Sequence, residues 1–226
     1  MTNGALVWKN LAFDDDGGAI AYGVFTTYNA YDGQIYAYGQ GPSATTVTAP
    51  DVGVTTATPI TMTGTVMDVS AGATQEAVAA NFPNGLPCVS DASMSQWMEY
   101  VYEQQPNPSN TTGVPVTLTA IDPNGNTVTL GTTTTDQSGF YSLTYTPPIP
   151  GHYTVIATFA GTGGYYGSYA ESAFYASNPP STPVPTATPV SNVATMSGLT
   201  IGIVAAAIAI IIAIAIVGLL ILRKKP

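Results

Sequence analysis

The sequence predicts a mainly β protein: an antiparallel β-sandwich with a partial sheet before it, one inserted helix and a C-terminal transmembrane helix. Three observations carry the prediction. Between Ser43 and Ser177, short Thr- and Val-rich runs alternate polar and apolar residues with a period of two. Clusters such as Asp122-Pro123-Asn124-Gly125 punctuate those runs with residues that suit tight turns. Finally, Leu199 to Leu222 carries no charged side chain, and Arg223, Lys224 and Lys225 follow it at once.

Residues 1–42 contain four aromatic and aliphatic runs: Ala5-Leu6-Val7-Trp8, Ala19-Ile20-Ala21-Tyr22, Val24 to Tyr28 and Ile35 to Tyr38. They read as short strands, with Tyr31-Asp32-Gly33-Gln34 as a hairpin turn. So small a sheet is marginal in water unless it packs on something.

In residues 43–176 the expected strands are Val52 to Val54, Ile60 to Asp68, Val114 to Ile121, Thr127 to Leu130, Tyr141 to Tyr145 and Tyr153 to Phe159. Alternation makes Leu118, Ala120, Val128, Leu130, Leu143, Tyr153, Val155, Ala157 and Phe159 interior candidates. Residues 71–112 break the pattern as an insertion. There Ser90 or Asp91 caps a helix over about 91–105, which Pro106 ends. Met94, Trp97, Met98 and Val101 share one face of it. Such a stripe reads as core packed on the sheets; docking to a partner is the sharper alternative.

Residues 177–198 form a Pro-, Thr- and Ser-rich stalk, semi-rigid and suited to O-linked sugar. Residues 199–222 form the membrane helix. Its 24 residues, at roughly 1.5 Å each, reach about 36 Å, enough for a hydrocarbon core of about 30 Å. The positive-inside rule puts the tail, residues 223–226, in the cytoplasm and the N-terminal portion outside a single-pass cell membrane.

Two resemblances add to this reading. Thr2-Asn3-Gly4 with Trp8, Gly18, Tyr22-Gly23 and Tyr31 to Tyr38 resemble the last repeats of a PQQ-type β-propeller, which implies that residues 1–42 hold at most one blade and part of another. Thr135-Asp136, Gly139-Phe140 and Pro150-Gly151-His152-Tyr153-Thr154-Val155 resemble the immunoglobulin-like domains of prokaryotic, archaeal-like surface proteins. Carboxypeptidase-regulatory-like domains share that order of turn and strand. The resemblance implies an immunoglobulin-like sandwich without the antibody-type disulfide.

Composition restricts function. Charged residues make up 8% of the chain, against about 25% in ordinary soluble domains. Ahead of the tail, Lys9 stands alone against 13 carboxylates, so nucleic acid is excluded as a partner. So few ionisable groups suit an acidic habitat, where folding should depend weakly on pH. Cys88, the only cysteine, permits no internal disulfide and reads as a small half-buried apolar residue, the alternative being an intermolecular bridge. Asp14-Asp15-Asp16-Gly17-Gly18 offers oxygens to calcium but lacks the spaced ligands of a full loop, which favours a solvated turn. His152, the only histidine, reads as a strand-end residue and not as a zinc ligand or base. Asn110-Thr111-Thr112 is a glycosylation sequon, so Asn110 is the one candidate modification site.

The expected function is an extracellular structural or interaction module, for adhesion or scaffolding, with no catalytic, cofactor or metal residues of its own. Its expected partners are the membrane, through residues 199–222, and upstream propeller blades or another surface protein. The alternative is a membrane tether for a PQQ-type propeller dehydrogenase whose catalytic blades lie elsewhere. Residues 1–10 lack the features of a secretory signal. This leads to the expectation of a C-terminal portion of a longer protein, unless a complete chain is exported by another route.

Overall fold

The computed structural model describes residue 6, residues 8–181 and residues 194–223, apart from the side chains of 14–16 and 194–199. The chain divides into two compact units, residues 1–179 and 180–226. Among the described residues the protein is mainly β, with three sheets and three helices.

The first unit opens with an antiparallel meander of β1 (Asp14–Ala21), β2 (Val24–Asn29) and β3 (Gln34–Tyr38). Tyr22 and Gly23 both have positive φ, 52° and 79°, and join Ala21 to its partner Val24 in the two-residue hairpin that the strand twist favours. The turn expected over Tyr31 to Gln34 is present: the Gln34 amide donates to Asp32 Oδ1 at 3.1 Å, and Gly33 has φ 71°. The solvated turn expected at Asp14 to Gly18 is instead strand. It is accommodated by a bulge between Asp14 and Gly18, with Gly17 at φ 73°. The strand expected over Ala5 to Trp8 does not form at Leu6 or Trp8, while Ala5, Val7 and the Thr2-Asn3-Gly4 motif lie outside the described residues.

β4 (Ser43–Thr45) leads to β5 (Ile60–Asp68), which has the bounds its alternation predicts. Ile60, Met62, Val66 and Asp68 face in, while Thr61 and Thr63 face out. Both edges of β5 are bonded. β4 and its continuation through Thr46 and Thr48 take one edge; β9 (Phe140–Tyr145) and the two-residue β6 (Leu86–Pro87) share the other. The expected strand at Val52 to Val54 is a bend, because Gly53 at φ 71° turns the chain there.

The second large sheet has the order β11-β10-β7-β8, from β7 (Pro115–Ile121), β8 (Thr127–Thr134), β10 (Gly151–Phe159) and β11 (Ser168–Ala176), all antiparallel. Its inner face meets that of the β5 sheet in one apolar core. Leu118, Ala120, Tyr153, Val155, Ala157 and Phe159 are buried there, as predicted, and Leu130 and Leu143 are partly buried against it. Tyr153 stacks on Phe174 with ring centroids 4.7 Å apart. The two predicted Asp turns have one design: Asp122 Oδ1 accepts from the Asn124 and Asn126 amides, and Asp136 Oδ1 from those of Ser138 and Phe140.

The insertion holds two helices where one was predicted. α1 (Glu76–Asn81) buries only Val78, which leaves no periodic stripe to read. α2 (Asp91–Glu103) forms where predicted and ends two residues earlier; Ser90 sits at the N-cap position, but its side chain makes no capping hydrogen bond. Gln104, at φ 53°, ends it before Pro106, and the Gln105 amide bonds back to Glu99 O at 3.2 Å. Trp97, 3% exposed, is enclosed by Phe82 and Tyr100 at 5.7 and 5.6 Å, so the stripe is core and the partner-docking alternative for it falls away.

In the second unit, α3 (Ala194–Arg223) begins five residues ahead of the predicted helix. Thr200–Arg223 has a mean hydropathy of 3.2 and is long and apolar enough to cross a membrane. Residues 182–193, most of the predicted stalk, and tail residues 224–226 lie outside the described residues.

One glycine sets the β5 register. A Cβ on Gly64 would collide with Thr46 O and with the hydroxyl of Tyr141, which itself donates to Thr46 O at 2.5 Å. Gly64→Ala should therefore destabilise the full chain by about 1–3 kcal/mol, read as a lower urea midpoint in detergent. An unchanged midpoint would show that the strand relaxes around the methyl group.

Candidate functional site

The first unit carries an open cleft of about 370 Å³, lined by Thr63, Thr133, Thr134, Asp136, Phe140, Tyr141 and Ser142. The Asp136 turn shapes it. Asp136 Oδ1 holds the Ser138 and Phe140 amides at 2.8 and 3.0 Å, and Gly139 takes φ 77°. Strand alternation then sends Phe140 outward, 47% exposed, Tyr141 inward and Ser142 outward again. Ser142 pairs with Thr63 across the sheet, and Phe140 with Thr65.

The cleft hydroxyls differ from their neighbours. On the outer faces, Thr46 pairs with Thr65 at 2.8 Å, Thr117 with Thr132 at 3.1 Å and Thr61 with Thr144 at 3.4 Å, hydroxyl to hydroxyl. Among the described residues, the hydroxyls of Thr63, Thr133, Thr134 and Ser142 and Oδ2 of Asp136 have no partner within the chain.

A second polar cluster lies where the meander meets the end of α2. Asn10 Nδ2 donates to Glu103 Oε1 at 2.5 Å and to the Tyr38 hydroxyl at 3.1 Å. Trp8 packs on Tyr38 at 5.1 Å, and the Tyr36 hydroxyl donates to Asp32 Oδ2 at 2.5 Å. Glu103 is 6% exposed, and both its Oε2 and Asn10 Oδ1 are buried without a hydrogen-bond partner. Burial raises the Glu103 carboxyl above its usual range; the Glu99 and Asp32 charges add to this, while the Asn10 bond opposes it. Burial likewise raises the Asp68 carboxyl, against hydrogen bonding from Ser70. The sequence gives no sign of either, since a lone carboxylate at a helix end or strand end reads as solvated.

The predicted site residues do not converge. Asn110 is exposed in the turn after α2, with Thr112 also exposed and the Thr111 hydroxyl donating to Pro108 O at 3.2 Å. His152 is exposed in β10 opposite Tyr175. Cys88 is wholly buried and not half-buried; burial pushes its thiol well up, which leaves it a core residue and closed to an intermolecular bridge. The side chains of Asp14 to Asp16 lie outside the described residues, and no group of three metal-binding side chains occurs among the described ones.

No protein-family model matches the chain, and no curated protein matches its sequence.

The buried carboxyls fix a sign. A carboxyl with a raised folded pKa binds protons more tightly in the native state than in the unfolded one. Its contribution is therefore complete below the unfolded value, about 4.3 for Glu, and is lost as pH rises through the folded value. Glu103→Gln, neutral at every pH, should exceed the parent chain in stability at pH 7, with the difference closing as pH falls toward about 4, measured by urea unfolding. A constant difference across that range would show that Glu103 holds no proton at this junction.

Proposed function

We propose that the chain is a membrane-anchored interaction module displayed on a cell exterior. The observation that carries this reading is α3, an apolar span ending at Arg223 with Lys224 and Lys225 directly after it. The first unit supports it with a surface poor in charge and rich in hydroxyls, built without a disulfide. The part assigned to this chain is binding and scaffolding, not catalysis.

An immunoglobulin-like assignment of the sandwich draws on two features. Its sheets can be labelled A-B-E for β4-β5-β9 and C′-C-F-G for β8-β7-β10-β11. The Tyr153 hydroxyl, at the start of the F-like strand, donates to Ile149 O at 2.9 Å, as in a tyrosine corner. The meander favours the propeller-blade reading in one respect. It is one strand short of a four-stranded blade, and Ile20 and Ile35, each 78% exposed, stand where further packing would cover them.

The lysines make orientation testable, since the chain has only Lys9, Lys224 and Lys225. Lys9 is exposed on the first unit. A membrane-impermeant amine reagent applied to intact cells should modify Lys9 and spare Lys224 and Lys225, read by peptide mass spectrometry; the converse pattern would reverse the topology.

A further inference from the structure

We propose that the Phe140 cleft is a binding site for a neutral sugar ring. This deepens the interaction-module reading and rests on it for its biological setting. Four observations support it.

The first is size. About 370 Å³ lies at the small end of ligand sites and accommodates one or two pyranose rings. The second is the ring: Phe140 leaves half its surface to solvent at the cleft, where its face can cover the C–H face of a sugar. The third is the set of free polar groups. Thr63, Thr133, Thr134 and Ser142 can each donate and accept, which matches the paired donor and acceptor character of sugar hydroxyls. Three threonine pairs on these faces saturate one another, and the cleft hydroxyls are left without such a bond.

Charge is the fourth. Asp136 commits Oδ1 to its own turn and leaves Oδ2 to accept from a ligand hydroxyl, as a rigid charged acceptor. No cation lines the cleft, and Lys9 is the sole lysine or arginine ahead of α3. A neutral saccharide is therefore accepted, and a uronic acid or a phosphorylated sugar is repelled.

The cleft is preorganised. Tyr141 anchors it from below through its bond to Thr46 O, and the Asp136 turn holds the Phe140 backbone, so the strand framework under the site is ordered before binding. The openness of the site and its single ring set the affinity in the millimolar range, about 1–10 mM.

The test is saturation-transfer NMR on the full chain in detergent, with mannose, galactose and N-acetylglucosamine as probes and glucuronate as the anionic control. At least one neutral probe should give a saturable signal strongest on its ring C–H protons, and glucuronate should give none. Phe140→Ala should weaken binding about three- to tenfold, the worth of one ring contact. Thr63→Val and Ser142→Ala, which leave the ring in place, should each weaken it as well. Tyr169→Ala, at an exposed tyrosine on the other sheet, should leave it unchanged. The proposal is overturned by the lack of a saturable signal from all three neutral sugars, by full binding in the Phe140 and Ser142 variants, or by loss in the Tyr169 variant. The readout uses solubilised protein, so it is independent of membrane orientation: either result can fail while the other stands.

Discussion

The fold depends on strand β5 being bonded along both edges. Its nine residues take β4 and the Thr46–Thr48 extension on one side, and β9 followed by β6 on the other. The first sheet, the insertion and the cleft all follow from that. β6 brings in residues 69–114, so α2 lies with Trp97 against the core, and β9 brings in the Asp136 turn that carries Phe140. Gly64 is where the chain yields space, because the Tyr141 hydroxyl and Thr46 O occupy the volume a side chain would fill. With no disulfide, this packing and pairing must supply the whole stability of the unit.

Charge is nearly absent from the sheets, and hydroxyls take its place. Paired threonines on the outer faces leave a surface that is wetted but carries little charge to titrate. The exceptions lie inside. Asp68 and Glu103 are buried carboxyls held above their usual range, and both favour folding on the acidic side. Asp122 opposes them: bonds from Asn126 and Asn124 lower its carboxyl, so its small contribution is lost as pH falls. The weak pH dependence inferred from composition thus acquires a direction, with two buried groups favouring acid and one exposed turn opposing them.

Much of this was legible in the sequence where side chains repeat. The bounds of β5, the inner faces of β7 and β10, the twin Asp turns, α2 and the apolar span of α3 follow from period, turn chemistry or length. β11 was missed because Ser168 to Ala176 mixes small residues, two tyrosines and Glu171 without a clear apolar alternation, and its burial depends on pairing with β10. β4 and β6 are three and two residues long and exist only as edges of β5. The cleft was invisible for a related reason: Thr63, Thr133, Phe140 and Ser142 come from three strands, and no local pattern brings them together. Glu103 was hidden because its burial depends on Asn10, 93 residues away.

Amide hydrogen exchange on the full chain tests the central place of β5 most directly. If β5 is the strand on which the unit is built, the Met62 to Val66 amides exchange last, together with those of β7 and β10, and the meander exchanges earlier through local opening. Exchange of the β5 amides at or before the rate of the β1–β3 meander would contradict the account.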